Sequence, residues 1–290
     1  MTKITMTSMK TKAFLSLFGL SIIGLFSCTG GQNGDAVDIA FLHHSTGGVI
    51  WEGDPSQIDP AVVKKNNRLK AQLPIMFAEY NEVNAENYVI KEIIFPKAEP
   101  YGWNNYPYDY YNIWVKNAGE KAFMKEPTLE MLTSQYQVII FKHCFPSSNI
   151  LGDNGIADIN SDNKTLANYK LQYLALRDKI HEFSDNKFIL FTGAVQVKAF
   201  LPEEEALRAQ EFYNWVVNEW DQPGDNIFIW DLYQLQTEGG LYFKDEYAVS
   251  ANDSHPNKEF AGKAAGLLFN RIIDVIENDG INTDLAGNKI

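Results

Sequence analysis

Apolar residues follow two spacings that alternate along this chain. Five runs rich in β-branched and aromatic residues stand out: Asp38–Leu42, Tyr88–Phe95, Gln137–Lys142, Lys187–Thr192 and Asn226–Asp231. Most are continuously apolar rather than alternating, the pattern of strands covered on both faces in a parallel sheet. Between them lie stretches with helical character. Arg68–Tyr80 contains Pro74, so its helix begins or kinks there. Leu166–Phe183 places Leu171, Leu174, Ala175 and Ile180 at helical spacing. Glu203–Trp220 opens on three acids, which suit the positive end of a helix. Lys258–Ile276 is the last helical stretch. Strands alternating with helices imply βαβ units with right-handed crossovers. The pattern therefore predicts an α/β fold: a three-layer α/β/α domain over residues 38–290 with a five-stranded parallel sheet. No linker, internal repeat or low-complexity tract divides it.

The first 27 residues have a different character. Lys3, Lys10 and Lys12 occur without an acid and precede a 14-residue apolar run, Ala13–Phe26. A bilayer span needs roughly 20 residues, so this run matches the core of a signal peptide instead. It ends Leu25-Phe26-Ser27-Cys28, which looks like a bacterial lipobox. The expectation is cleavage before Cys28, lipid on its thiol, and residues 28–37 as a short tether. The protein would then be exported and lipid-anchored in the bacterial cell envelope, at the outer membrane or cell surface. Without the leader, 22 basic residues face 37 acidic ones, a net charge of −15. Nucleic-acid affinity rests on Lys and Arg neutralising phosphates, so such an acidic chain disfavours that partner. With Cys28 lipidated, Cys144 is alone and no intramolecular disulfide can form. About 255 residues with 45% apolar content are ample for a single core.

In open α/β sheets, ligands bind beyond the carboxyl ends of the strands. Here those ends are rich in reactive groups. His43, His44 and Ser45 follow the first run; Gly102 and the aromatic segment Tyr101–Trp114 follow the second. His143, Cys144, Ser147, Ser148 and Asn149 follow the third, Gly193 and Gln196 the fourth, and His255 precedes the last helix. Four of the five histidines thus fall on one edge. A serine hydroxyl needs a positioned base to become a nucleophile, and Ser45 with His255 supplies such a pair if the fold joins them. Asp253 would orient His255 and stabilise its imidazolium. If His43 and His44 extend the strand they face opposite ways, one to the site (assigned to His44) and one against a helix. Three histidines could hold zinc, but no H-x-x-x-H spacing supports a metal, and none is assigned. A lone Cys144 at a strand end reads as a buried small apolar residue. The segment Tyr101–Trp114 holds seven Tyr or Trp residues; rings with polar tips can stack on sugars, Trp103 being the representative, or they can pack as a self-contained lid.

The block IAFLHHSTGG (39–48) and the block NDSHPN (252–257) together resemble the SGNH (GDSL-type) hydrolase superfamily. The resemblance spans Asp38 to about Ile276. It implies a flavodoxin-like sheet with strand order 2-1-3-4-5, a nucleophilic Ser45 after the first strand, and a catalytic acid and base near the C-terminus. Two positions depart from the family pattern. His43-His44 replaces the usual Gly-Asp before the serine, and the family's acid position, three before the histidine, is Asn252, with Asp253 two before. The family's oxyanion hole combines the serine amide with a glycine amide after strand 2 and an asparagine side chain after strand 3. Gly102 and Asn149 fall in those regions, with Ser147, Ser148 and Asn104 as alternatives. The resemblance implies an esterase that needs no cofactor. The aromatic segment and envelope location favour an acetyl or similar acyl group on a glycan as substrate. A non-catalytic glycan-binding lipoprotein on the same fold is the alternative.

Overall fold

The apolar runs become strands because the inner strands of the sheet are shielded from water on both faces. The computed structural model describes residues 36–290 apart from positions 98, 100, 102–104 and 154. The leader, Cys28, Gly102, Trp103 and Asn104 therefore lie outside the described residues. Strands β1 (Val37–His43), β2 (Tyr88–Ile94), β3 (Val138–Phe141), β4 (Lys187–Phe191) and β5 (Ile227–Trp230) form one sheet in the order β2-β1-β3-β4-β5. Every pairing is parallel. Each strand falls within two residues of the run that predicts it. Strand β3 is buried along its whole length, whereas β2 at the sheet edge exposes Val89 and Ile94. Phe41, Ile139, Ile140, Ile189, Leu190 and Ile229 have essentially no exposed surface. Each such side chain contributes about 1.5–3 kcal/mol relative to an exposed one.

The helices are α1 (Thr46–Glu52), α2 (Pro60–Lys65), α3 (Gln72–Asn84), α4 (Pro107–Tyr110), α5 (Leu129–Thr133), α6 (Leu166–His181), α7 (Glu203–Trp215), α8 (Leu232–Thr237) and α9 (Lys258–Asn278). They sort into packed groups, α1, α3 and α9 in one, and α4, α6 and α7 in another. That arrangement is consistent with a three-layer α/β/α fold. Helix α3 begins two residues before Pro74. The proline sits in the first turn, where a missing N–H leaves no hydrogen bond unmade. Helix α9 begins at Asn257, whose side chain accepts from the Phe260 N–H at 2.9 Å. Its inner face buries Phe260, Ala264, Ala265, Leu268, Ile272 and Val275.

Two features go beyond the periodicity. The chain does not stop at α9: its tail returns to the sheet, with the Leu285 carbonyl accepting from the Asp231 N–H at 2.7 Å and the Ala286 carbonyl from the Trp230 indole at 2.9 Å. Before α9, β6 (Ala248–Ser250) and β7 (Asp253–Pro256) form a small antiparallel hairpin separate from the main sheet. This hairpin carries half of the candidate site.

Candidate active site

Strand β1 delivers His43 and His44 to the carboxyl edge, and the chain then turns sharply into α1. At the turn Ser45 adopts φ 43° and ψ −104°, a conformation that L-residues rarely take. Such backbone strain persists only where the surroundings enforce it. Here the enforcement is steric and polar. A Cβ on Gly47 would stand 2.4 Å from the His43 Cβ, so only glycine lets α1 start this close to the strand. The Gly47 N–H donates to the His44 carbonyl at 2.8 Å. The result is an exposed Ser45 on an otherwise buried strand end, whose backbone N–H makes no hydrogen bond among the described residues.

Across the edge stands β7. Successive residues of an extended strand point to opposite faces, so positions two apart share a face. Asp253 and His255 are such a pair. The Asp253 Oδ1 accepts from the His255 backbone N–H at 2.9 Å and lies 2.6 Å from His255 Nδ1. Those contacts hold the Asp253 carboxyl below its ordinary pKa, the backbone N–H contributing most. An ionised carboxylate at Nδ1 keeps the proton there and leaves Nε2 free to accept. That atom lies 2.5 Å from Ser45 Oγ. A spacing of two between acid and base is what a strand requires. Asn252, in the turn joining β6 to β7, makes no recorded contact with His255.

Three contacts fix the hairpin. Ser254 Oγ accepts from the Val197 N–H at 3.1 Å, tying β7 to the loop after β4. The Asn257 N–H donates to the Tyr247 carbonyl at 2.8 Å. The Phe145 ring meets the His255 imidazole edge-on, with centroids 5.3 Å apart. Ser45, between β1 and its neighbours β2 and β3, stands where the strand order reverses, the usual ligand position in such sheets.

The other candidates are deployed elsewhere. Asn149 Nδ2 donates to Glu205 at 2.8 Å in the first turn of α7, and Gln196 donates to its Oδ1. Its amide is thus engaged away from Ser45. Ser147 pairs with the Tyr213 hydroxyl at 3.4 Å, and Ser148 donates to the Phe145 carbonyl at 2.6 Å. His44 is buried and its Nε2 meets the Pro96 carbonyl, while burial lowers its pKa. His43 contacts Glu92 at 3.2 Å; burial first, then the nearby Lys142, pushes it down to about 3. His143 lies between the Tyr110 and Tyr173 rings, both its nitrogens without a hydrogen-bond partner among the described residues, and burial holds it at about 3. Of the four histidines on this edge, it is His255 whose ring hydrogen-bonds the Ser45 hydroxyl. No three of the described His, Cys, Asp and Glu residues converge as a metal site would require. Cys144 is buried, its Sγ 3.5 Å from Lys142 Nζ.

The aromatic segment packs inward. Tyr106, Tyr110, Tyr111 and Trp114 are buried. Tyr110 and Trp114 stack with Phe95 and Phe141 as core rings. These four rings cannot offer faces to a sugar, because sheet and helix residues already cover them. Tyr101 and Tyr108 are half-buried. No family model, curated protein or solved structure matches the chain.

Proposed function

We propose that this protein is an SGNH-type serine hydrolase that cleaves a carboxylic ester through an acyl-enzyme on Ser45. One observation carries the reading: the unbroken chain Ser45 Oγ, His255 Nε2, His255 Nδ1, Asp253 Oδ1, with links of 2.5 and 2.6 Å, at an exposed and strained turn. His255 takes the hydroxyl proton as Oγ attacks the ester carbonyl carbon. The developing oxyanion is met by the Ser45 N–H, which donates to no acceptor among the described residues. Collapse releases the alcohol, which receives that proton from His255. Water, deprotonated by the same imidazole, then attacks the acyl-enzyme, releases the acid and restores Ser45. The alternative of a glycan binder with a degraded pair is less well supported, because Ser45, His255 and Asp253 retain hydrogen-bond contact.

The ester carries this proposal, since four rings of the aromatic segment are core. Attachment to an envelope membrane through Cys28 completes it. Purified protein should hydrolyse 4-nitrophenyl acetate, and Ser45→Ala should lower kcat by roughly 10³-fold or more while remaining folded. An active Ser45→Ala protein, or a folded wild type inert toward small esters, overturns the mechanism. An O-acetylated oligosaccharide assayed alongside decides whether the leaving alcohol belongs to a glycan.

A further inference from the structure

Beneath the Ser45 turn lies a lysine with no recorded carboxylate partner among the described residues. Lys142 follows β3 directly and its side chain is completely buried. Its Nζ donates to the His44 carbonyl at 3.2 Å and stands 3.5 Å from Cys144 Sγ. Its stem runs under the first turn of α1, where a Cβ on Gly47 would come within 3.0 Å of the Lys142 Cδ. Its own carbonyl accepts from the Tyr110 hydroxyl at 2.7 Å. The lysine is thus pinned at both ends.

A buried ammonium without an anion is expensive, and burial lowers the Lys142 pKa accordingly. The same charge lowers the pKa values of His43, His44 and His143 around it. If packing were all that mattered, methionine would fill the same space at no electrostatic cost. The hydrogen bond it makes points to another purpose. The His44 carbonyl and the Ser45 N–H belong to one peptide group. A cationic donor on the oxygen fixes the plane of that group and, by polarising it, strengthens its N–H as a donor. That N–H makes no hydrogen bond among the described residues.

We infer that Lys142 is a positioning residue for this site: through the His44 carbonyl it orients and polarises the peptide whose N–H receives the ester oxygen. The inference rests on the reading of Ser45 as nucleophile. It adds a residue from the end of β3 to the machinery that stabilises the transition state. It also explains why the strained turn is held from below by a cation rather than by an apolar side chain.

The test compares wild type, Lys142→Met and Lys142→Gln, the last carrying a shorter, neutral donor. Two reactions are followed: hydrolysis of 4-nitrophenyl acetate, and labelling of Ser45 by an alkyl fluorophosphonate, in which Oγ bonds to phosphorus, fluoride leaves and His255 takes the proton. Lys142→Met should lower kcat and the labelling rate by about 10- to 100-fold, below the loss for deleting a direct oxyanion donor. Its KM should stay within about twofold, because the contact strengthens only in the transition state. Its melting temperature should be equal to or above that of wild type, a combination a merely structural role does not produce. Lys142→Gln should recover part of the rate. A Lys142→Met protein that labels at the wild-type rate overturns the inference while leaving the Ser45 reading intact. So does failure of both variants to fold, which assigns Lys142 to structure. A folded wild type that is not labelled at Ser45 removes the nucleophile reading, and this inference with it.

Discussion

The strain at Ser45 can be measured without knowing the substrate. A non-glycine residue at φ 43° and ψ −104° occupies a sparsely populated region, at a cost on the order of 1–3 kcal/mol. Glycine takes such angles freely but surrenders about 0.5–1 kcal/mol more backbone entropy than alanine. The difference favours glycine by about 1 kcal/mol. Comparison with wild type would mix this effect with loss of the bond to His255. Ser45→Gly should therefore be compared with Ser45→Ala, since both lack the hydroxyl and differ only in the Cβ. In a domain of this size 1 kcal/mol corresponds to roughly 2–4 °C in melting temperature. Scanning calorimetry on the two inactive proteins should place Ser45→Gly higher by about that amount. A glycine variant that melts with or below the alanine variant would show that the turn is relaxed, and the argument that the fold forces Ser45 outward would fail. The expected result is a local exchange of stability for an exposed nucleophile.

Asp253→Asn should lower kcat by about 10²- to 10⁴-fold with little change in KM, because the amide cannot hold the proton on His255 Nδ1 or stabilise the imidazolium; Asn252→Ala should be nearly silent, and steady-state kinetics showing the reverse order would restore the spacing of three. His143, held at about 3 by burial against an ordinary 6.5, stays neutral in the folded chain while the unfolded chain takes up a proton. Its effect is a loss of stability as pH falls from 6.5 toward 3, by about 1.4 kcal/mol per pH unit. Asp109, pushed up to about 7 by burial, acts oppositely over the range from 7 to 3.8, so the wild-type profile is a partial cancellation. Urea unfolding at pH 7, 6, 5 and 4 should show the gap between His143→Leu and wild type widening on acidification, and parallel curves would refute this account. Cys28→Ser should release the protein from the membrane fraction, as read by fractionation and immunoblotting; a protein that stays with the membrane would point to a different anchor.

What the sequence determined by itself is the material of the fold. Continuous apolar runs became β1 to β5 within two residues, and helical spacing located α6, α7 and α9, because strand and helix periodicities are local properties of the chain. The types of the reacting groups were legible as well, since a serine after the first strand and an Asp-Ser-His run before the last helix need no tertiary information to be seen. Tertiary structure decided their use. Ser45 and His255 are 210 positions apart, and only the crossovers and the seating of α9 bring them into contact. That Asp253 rather than Asn252 meets His255 depends on β7, a four-residue strand too short for periodicity to reveal and extended only because β6 pairs with it. The aromatic segment was ambiguous for the same reason: rings that can stack on a sugar can equally fill a core, and Phe95 and Phe141 claimed Tyr110 and Trp114. In the sequence Lys142 is only the last residue of the run Gln137–Lys142. Its burial and its bond to the His44 carbonyl arise from the neighbouring strand and from the missing Cβ of Gly47, contacts that exist only once the chain has closed around them.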